Sequence, residues 1–117
     1  MAQTDFRAAL QGANEIEITV TGRKSGRSRS YPIWFTLDDD KLYLIPLKGT
    51  DTEWYKNLRK TPTIHMSARG KMFTSSARFL TGEAQLDRVL VTFRDKYGRN
   101  VKSYYPKYDV AVEVPLE

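Results

Sequence analysis

The chain has 117 residues, a formal net charge of +5, 40% hydrophobic residues and no cysteine. That length suits a single domain over residues 1–117, and the hydrophobic share excludes a disordered chain. The missing thiols exclude disulfides, thiolate nucleophiles and cysteine metal sites and fit a reducing, cytoplasmic setting, while the positive balance favours anionic partners.

Taken in chain order, residues 4–11 suit a short helix with Thr4 or Asp5 as cap, Phe6 and Leu10 on one face, and Gly12 at its end. Asp5, Arg7, Asn14 and Glu15 interrupt any apolar run, so neither a signal peptide nor a membrane span is expected. Strands are expected at 15–21 and 28–37, with the basic turn Arg23-Lys24-Ser25-Gly26-Arg27-Ser28-Arg29 between them. Asp38-Asp39-Asp40 reads as a hairpin turn into a strand at 41–47. Asp51 or Thr52 caps a helix to about Arg59, with Trp54, Tyr55 and Leu58 as its apolar stripe, and Pro62 stops it. Strands at 63–68 and 71–81 meet at Arg69-Gly70-Lys71. A helix at 84–97 carries Leu86, Val89, Leu90, Phe93 and Tyr97 at a 3.6-residue period and stops at Gly98. Val110, Val112 and Val114 alternate along a last strand.

Six strands joined mostly by short turns pair antiparallel. The expected class is α+β, mainly antiparallel β: a small barrel with two or three flanking helices. Too few helices separate the strands for a doubly wound fold.

The basic turn has three readings. It can be a solvated loop, part of a nucleic-acid surface, or a holder of an oxygen-rich anion. Arg offers a planar fork of donors, Lys a point charge, Ser a hydroxyl, and Gly lets backbone amides approach. Compact charge in a turn, without a spread of stacking aromatics, favours a small anionic ligand over nucleic acid. Pro32 marks an edge or a bulge, since proline cannot donate to a sheet ladder. Lys48-Gly49-Thr50, just before a helix, is a second candidate anion contact. Trp54, Tyr55 and Asn57 are either core or the lining of a cofactor pocket. Tyr97, Tyr104, Tyr105 and Tyr108 crowd the C-terminal third, as a substrate wall or an interface. His65, the sole histidine, has no nucleophile or metal-ligand neighbour in the pattern and reads as structural. Metal and hydrolytic chemistry are not supported, so any chemistry is expected to ride on a bound cofactor.

Thr21-Gly22-Arg23-Lys24-Ser25-Gly26-Arg27 with Arg29 and Pro32, then Lys48-Gly49 and Trp54-Tyr55-Lys56-Asn57-Leu58 with Pro62, resembles the split β-barrel flavin/deazaflavin oxidoreductases. Within that superfamily the likeness is to the deazaflavin-dependent nitroreductase, or quinone reductase, branch. It spans roughly residues 15–114. The resemblance implies a split β-barrel of the pyridoxamine-phosphate-oxidase-like, FMN-binding kind, often dimeric. It implies bound coenzyme F-420 (a deazaflavin) or FMN. Residues matching Arg23, Lys24 and Arg29 hold the phosphate or acidic tail, with Ser25 beside them. Those matching Pro32, Ile33, Leu47, Lys48 and Gly49 lie along the ring, and Trp54, Tyr55 and Asn57 close the pocket. Apart from the resemblance, the tyrosine-rich C-terminal third makes Tyr97, Tyr104 or Tyr105 the expected shapers of the substrate side. The implied reaction is hydride transfer to a quinone, nitroaromatic or activated alkene; the alternative is a flavin-binding module without turnover. The pattern departs from the family at Leu47 and Thr50, which stand where serine and glycine are usual.

Overall fold

The computed structural model describes residues 2–116. Helix α1 (Ala2–Leu10) leads into strands β1 (Ile16–Thr21), β2 (Ser28–Ile33), β3 (Thr36–Asp38) and β4 (Lys41–Leu44). A 3₁₀ turn at Gly49–Asp51 precedes α2 (Glu53–Lys60). Strands β5 (Thr63–Ala68), β6 (Lys71–Ser76) and β7 (Arg78–Leu80) follow, then α3 (Glu83–Tyr97), a second 3₁₀ segment (Arg99–Tyr104) and β8 (Ala111–Pro115). Helix α1 already runs from Ala2, so neither Thr4 nor Asp5 caps its start.

The strands form two antiparallel four-stranded sheets, ordered β2-β1-β5-β6 and β3-β4-β8-β7. This corrects the expectation of six strands. The single strand expected at 28–37 is broken at Trp34–Phe35, and the one at 71–81 is broken at Ala77. At each break the chain leaves one sheet and enters the other. Local alternation continues across both points, so only long-range pairing reveals them: Ile33 pairs with Ile16, whereas Thr36 pairs with Tyr43. The β5–β6 loop is tight because Arg69 and Gly70 both take positive φ, 50° and 80°, the geometry of a two-residue hairpin turn.

Sheet pleating distributes the core. From β4, Leu42 and Leu44 enter the main cluster, with Ile16, Ile18, Val20, Ile64 and Met66. Their neighbours Tyr43 and Ile45 face the opposite side and meet Val89, Leu90 and Phe93 of α3. Strand β8 does the same: Val112 and Val114 point inward while Ala111 faces α3. Burying a side chain such as Leu42 or Phe93 fully stabilises the fold by about 1.5–3 kcal/mol. Helix α2 sets Trp54, Tyr55 and Leu58 on the main cluster, and the exposed Arg59 guanidinium lies over the Phe79 ring at 5.0 Å.

Candidate functional site

The basic turn joins β1 to β2, and its shape is fixed by its own backbone. The Gly22 amide donates to the Arg27 carbonyl at 2.8 Å, and the Gly26 amide to the Gly22 carbonyl at 2.9 Å. Gly26 takes φ +73°, which a residue with Cβ adopts at a cost. A Cβ on Gly22 would lie 3.0 Å from Ser25 Oγ and 3.1 Å from the Arg27 carbonyl, so glycine keeps the turn closed.

Helix α2 clamps this turn. Buried Asn57 accepts at Oδ1 from both the Arg23 amide, at 3.1 Å, and Arg23 Nη1, at 2.8 Å. Arg23 Nη2 reaches the Glu53 carboxylate at 3.2 Å, and Lys60 Nζ donates to the Arg23 carbonyl at 2.9 Å. The Arg23 hydrogen bond and charge hold the Glu53 carboxyl below its ordinary pKa. The result is a cavity of about 220 Å³ lined by Arg23, Lys24, Ser25, Arg29, Tyr31, Glu53 and Asn57 together with Gly22. Among the described residues Lys24 and Arg29 take part in no ion pair within 4.0 Å, although the Glu53 carboxylate lines the same cavity.

A second cavity, of about 230 Å³, is walled by Pro32, Ile33, Trp34, Ile45, Leu47, Trp54, Tyr104 and Tyr105. Its mouth is apolar and open to solvent: Leu47 and Tyr104 are 52% and 58% exposed, large for such side chains. Both cavities are fed by the same two elements. Strand β2 gives Arg29 and Tyr31 to the cationic cradle and Pro32 and Ile33 to the slot; α2 gives Glu53 and Asn57 to one and Trp54 to the other. Strand β2 is the edge of its sheet, which accommodates Pro32.

The expected site residues are not all brought together. Lys48 and Gly49 line neither cavity. Their turn is satisfied internally: the Lys48 amide donates to Thr52 Oγ1, the Gly49 amide to the Pro46 carbonyl, and the Thr50 amide to Asp109 Oδ1. Tyr55 is buried against Phe79, edge to face at 5.5 Å. Tyr97 stands behind the slot, stacked on Trp34 with centroids 4.4 Å apart, and its hydroxyl donates to the Asn14 carbonyl at 2.7 Å. Burial raises the Tyr97 phenol to about 12 and pushes Tyr105 up as well, so both keep their protons at neutral pH. His65 is exposed on β5, with Nδ1 2.8 Å from Thr74 Oγ1. Among the described residues no cluster of His, Asp or Glu has metal-binding geometry.

Four lining residues escaped the sequence reading: Tyr31, Trp34, Ile45 and Glu53. Trp34 sits where the chain changes sheets. Glu53 opens a helix, where an acid is expected on dipole grounds alone, so neither position carried a distinguishing signal.

A family model described as F420H(2)-dependent quinone reductase matches residues 3–116. Among solved structures, an F420-H2 dependent reductase (FDR-A) superposes with a TM-score of 0.69 at 23% identity, covering 86% of this chain and 93% of that one. A protein described as a domain-swapped dimer gives 0.69 at 24% identity, covering 96% and 93%. A candidate pyridoxamine 5′-phosphate oxidase from Listeria innocua gives 0.69 at 14%, covering 97% and 92%. These likenesses establish the α+β fold of the pyridoxamine-phosphate-oxidase-like split-barrel kind.

Proposed function

Because this chain belongs to the F420H(2)-dependent quinone reductase family, and is therefore a deazaflavin-dependent reductase, we propose that its acceptor is a quinone, a nitroaromatic or an activated alkene. The observation that carries the site assignment is the shared parentage of the two cavities. One strand edge and one helix together build a cationic cradle and, next along the chain, an apolar slot.

That pairing fits the group. A flat polycyclic ring matches the slot between Pro32, Ile33, Leu47 and Trp54. A phosphate matches Lys24, Ser25 and Arg29, with Arg23 braced beside them by Asn57. Charge-assisted hydrogen bonds from such groups are the strong ones. Bound in its reduced form, the deazaflavin supplies the hydride. The protein's part is to orient the ring, to exclude water with Trp34, Ile45 and Trp54, and to leave the mouth at Leu47, Tyr104 and Tyr105 for the acceptor. Lys48 and Gly49 belong to the supporting turn, Tyr55 props α2 from within the core, and Tyr97 fixes Trp34.

The proposal takes residues 1–117 as one domain with one site, acting in the cytoplasm as a homodimer. The absence of cysteine is consistent with that compartment, and no described helix is long and apolar enough to cross a membrane. A fold neighbour described as a domain-swapped dimer favours pairing of two copies.

The test is fluorescence-quench titration with coenzyme F-420, followed by loss of reduced F-420 on addition of menadione. Binding with turnover is the expected result. Binding without turnover on quinones, nitroaromatics or activated alkenes would overturn the acceptor class, and no binding would overturn the site.

A further inference from the structure

The cradle holds one group that an anion site would not be expected to recruit. Glu53 lines the cavity with its carboxylate 3.2 Å from Arg23 Nη2, alongside Lys24 and Arg29. Hydrogen bonding to Arg23 holds that carboxyl below its ordinary pKa, so it is ionised at neutral pH. Three cations and one carboxylate therefore border the same 220 Å³ space. Arg23 is also the most committed of the three cations: Asn57 takes Nη1 and Glu53 takes Nη2. Both terminal nitrogens of the Arg23 guanidinium are thus already engaged within the protein, leaving fewer donors for a phosphate.

Resting on the cofactor reading above, we propose that Glu53 is a specificity-determining residue that sets the charge of the phosphate the cradle accepts. It favours a singly charged phosphodiester over a doubly charged phosphomonoester. The distinction has chemical content. A phosphomonoester has a second pKa near 6 and carries close to two negative charges at pH 7, whereas a diester carries one. Coenzyme F-420 attaches its phosphate as a diester; FMN presents a monoester. The extra charge of the monoester is repelled by the Glu53 carboxylate, which Arg23 holds at 3.2 Å and Lys56 of the same helix at 3.7 Å, so that the carboxylate stays in the cradle. The diester's single charge is met by Lys24 and Arg29 with the Arg23–Glu53 pair intact.

Glu53 is 65% exposed, so its effect is that of a screened surface charge, about threefold in affinity rather than a thousandfold. The probes are riboflavin 5′-phosphate and its monomethyl ester, which share a ring and differ by one charge, with coenzyme F-420 titrated in parallel. Dissociation constants are measured by fluorescence at low salt for the wild type, Glu53→Gln and Glu83→Gln. Glu83 is an exposed acid at the start of α3 and outside both cavities, so its variant controls for net charge. The expected result is a monoester-to-diester ratio of dissociation constants that falls about threefold in Glu53→Gln, is unchanged in Glu83→Gln, and converges as salt is raised. A thermal melt confirms that each variant is folded, and Glu53→Lys, which reverses the charge, gives a larger fall. An unchanged ratio in folded Glu53→Gln and Glu53→Lys, with F-420 still bound, overturns the role of Glu53 and leaves the cofactor reading standing. Failure of the wild type to bind F-420 overturns both.

Discussion

The indole of Trp34 lies flat on the phenol ring of Tyr97, centroids 4.4 Å apart and planes 6° from parallel. This stack ties the slot to the end of α3, 63 positions along the chain. Trp34 presents its other surroundings to the slot, where Tyr104 meets it edge-on at 5.4 Å. The Tyr97 hydroxyl completes the tie: it donates to the Asn14 carbonyl and accepts from the Phe35 amide at 3.0 Å.

Removing that hydroxyl with Tyr97→Phe leaves the Phe35 amide and the Asn14 carbonyl without their partner. The expected loss is about 1–3 kcal/mol of stability by urea denaturation. Affinity for F-420 should fall much less, since the ring stack survives. Trp34→Ala should invert that pattern, removing a slot wall and costing cofactor affinity more than Tyr97→Phe does.

Lys24→Ala and Arg29→Ala test the cradle. Neither side chain is paired among the described residues, and both are exposed, so thermal midpoints should hardly move. F-420 dissociation constants should rise roughly tenfold to a hundredfold per variant, the worth of about 1.5–3 kcal/mol for a charged hydrogen bond. Unchanged affinity in the double variant would remove the phosphate from this turn.

Gly49→Ala probes the turn before α2. Gly49 takes φ +55°, and an added Cβ would stand 2.1 Å from Asp109 Oδ1 and 2.8 Å from the Lys107 carbonyl. Asp109 is held there by the Thr50 amide at 2.9 Å and the Thr50 hydroxyl at 2.8 Å. Strain and collision together should destabilise the fold by about 2 kcal/mol or more, read as a lower denaturant midpoint.

Lys96 gives a pH signature. Its Nζ donates to the Phe35 carbonyl at 2.9 Å and lies 3.4 Å from the centre of the Phe35 ring. Burial of the ammonium end lowers its pKa from 10.5 to about 8. Between those values the unfolded chain holds more protons than the folded one, so stability rises with pH through that window. Tyr97 acts in the opposite sense: its pKa rises from 10.0 to about 12, so the stability it contributes is lost as pH climbs through that range. The thermal midpoint should therefore climb above pH 8 and turn over above about pH 10. Lys96→Met should flatten the climb and leave the turnover.

Elements built on local rules were legible in the sequence. Val89, Leu90 and Phe93 marked α3 because one helical face meets one sheet face, and a 3.6-residue period records that directly. Gly98 ends α3 at φ 104°, and Asp39 turns the β3–β4 hairpin at φ 56°. The clustering of Arg23, Lys24, Ser25 and Arg29 was legible too, because those residues are close in sequence. What escaped was relational. Trp34–Phe35 and Ala77 read as strand interior, since apolar alternation does not record which sheet a strand joins. Lys48-Gly49-Thr50 read as an open anion contact, yet its Thr50 amide is taken by Asp109, a residue 59 positions away. Glu53 carried no reading at all in the sequence, and only the fold sets it against Arg23.

Strand β8 lies inside its sheet, between β4 and β7, with Leu42 paired to Val114 and Phe79 to Val112. Without residues 111–115 in place, β4 and β7 would each present an unpaired edge and would not share a sheet. Ile45, which walls the slot, directly follows β4. The wall of the slot therefore depends on the pairing of β8 with β4, and the edges of β4 and β7 that β8 covers are where loss of that strand would invite self-association.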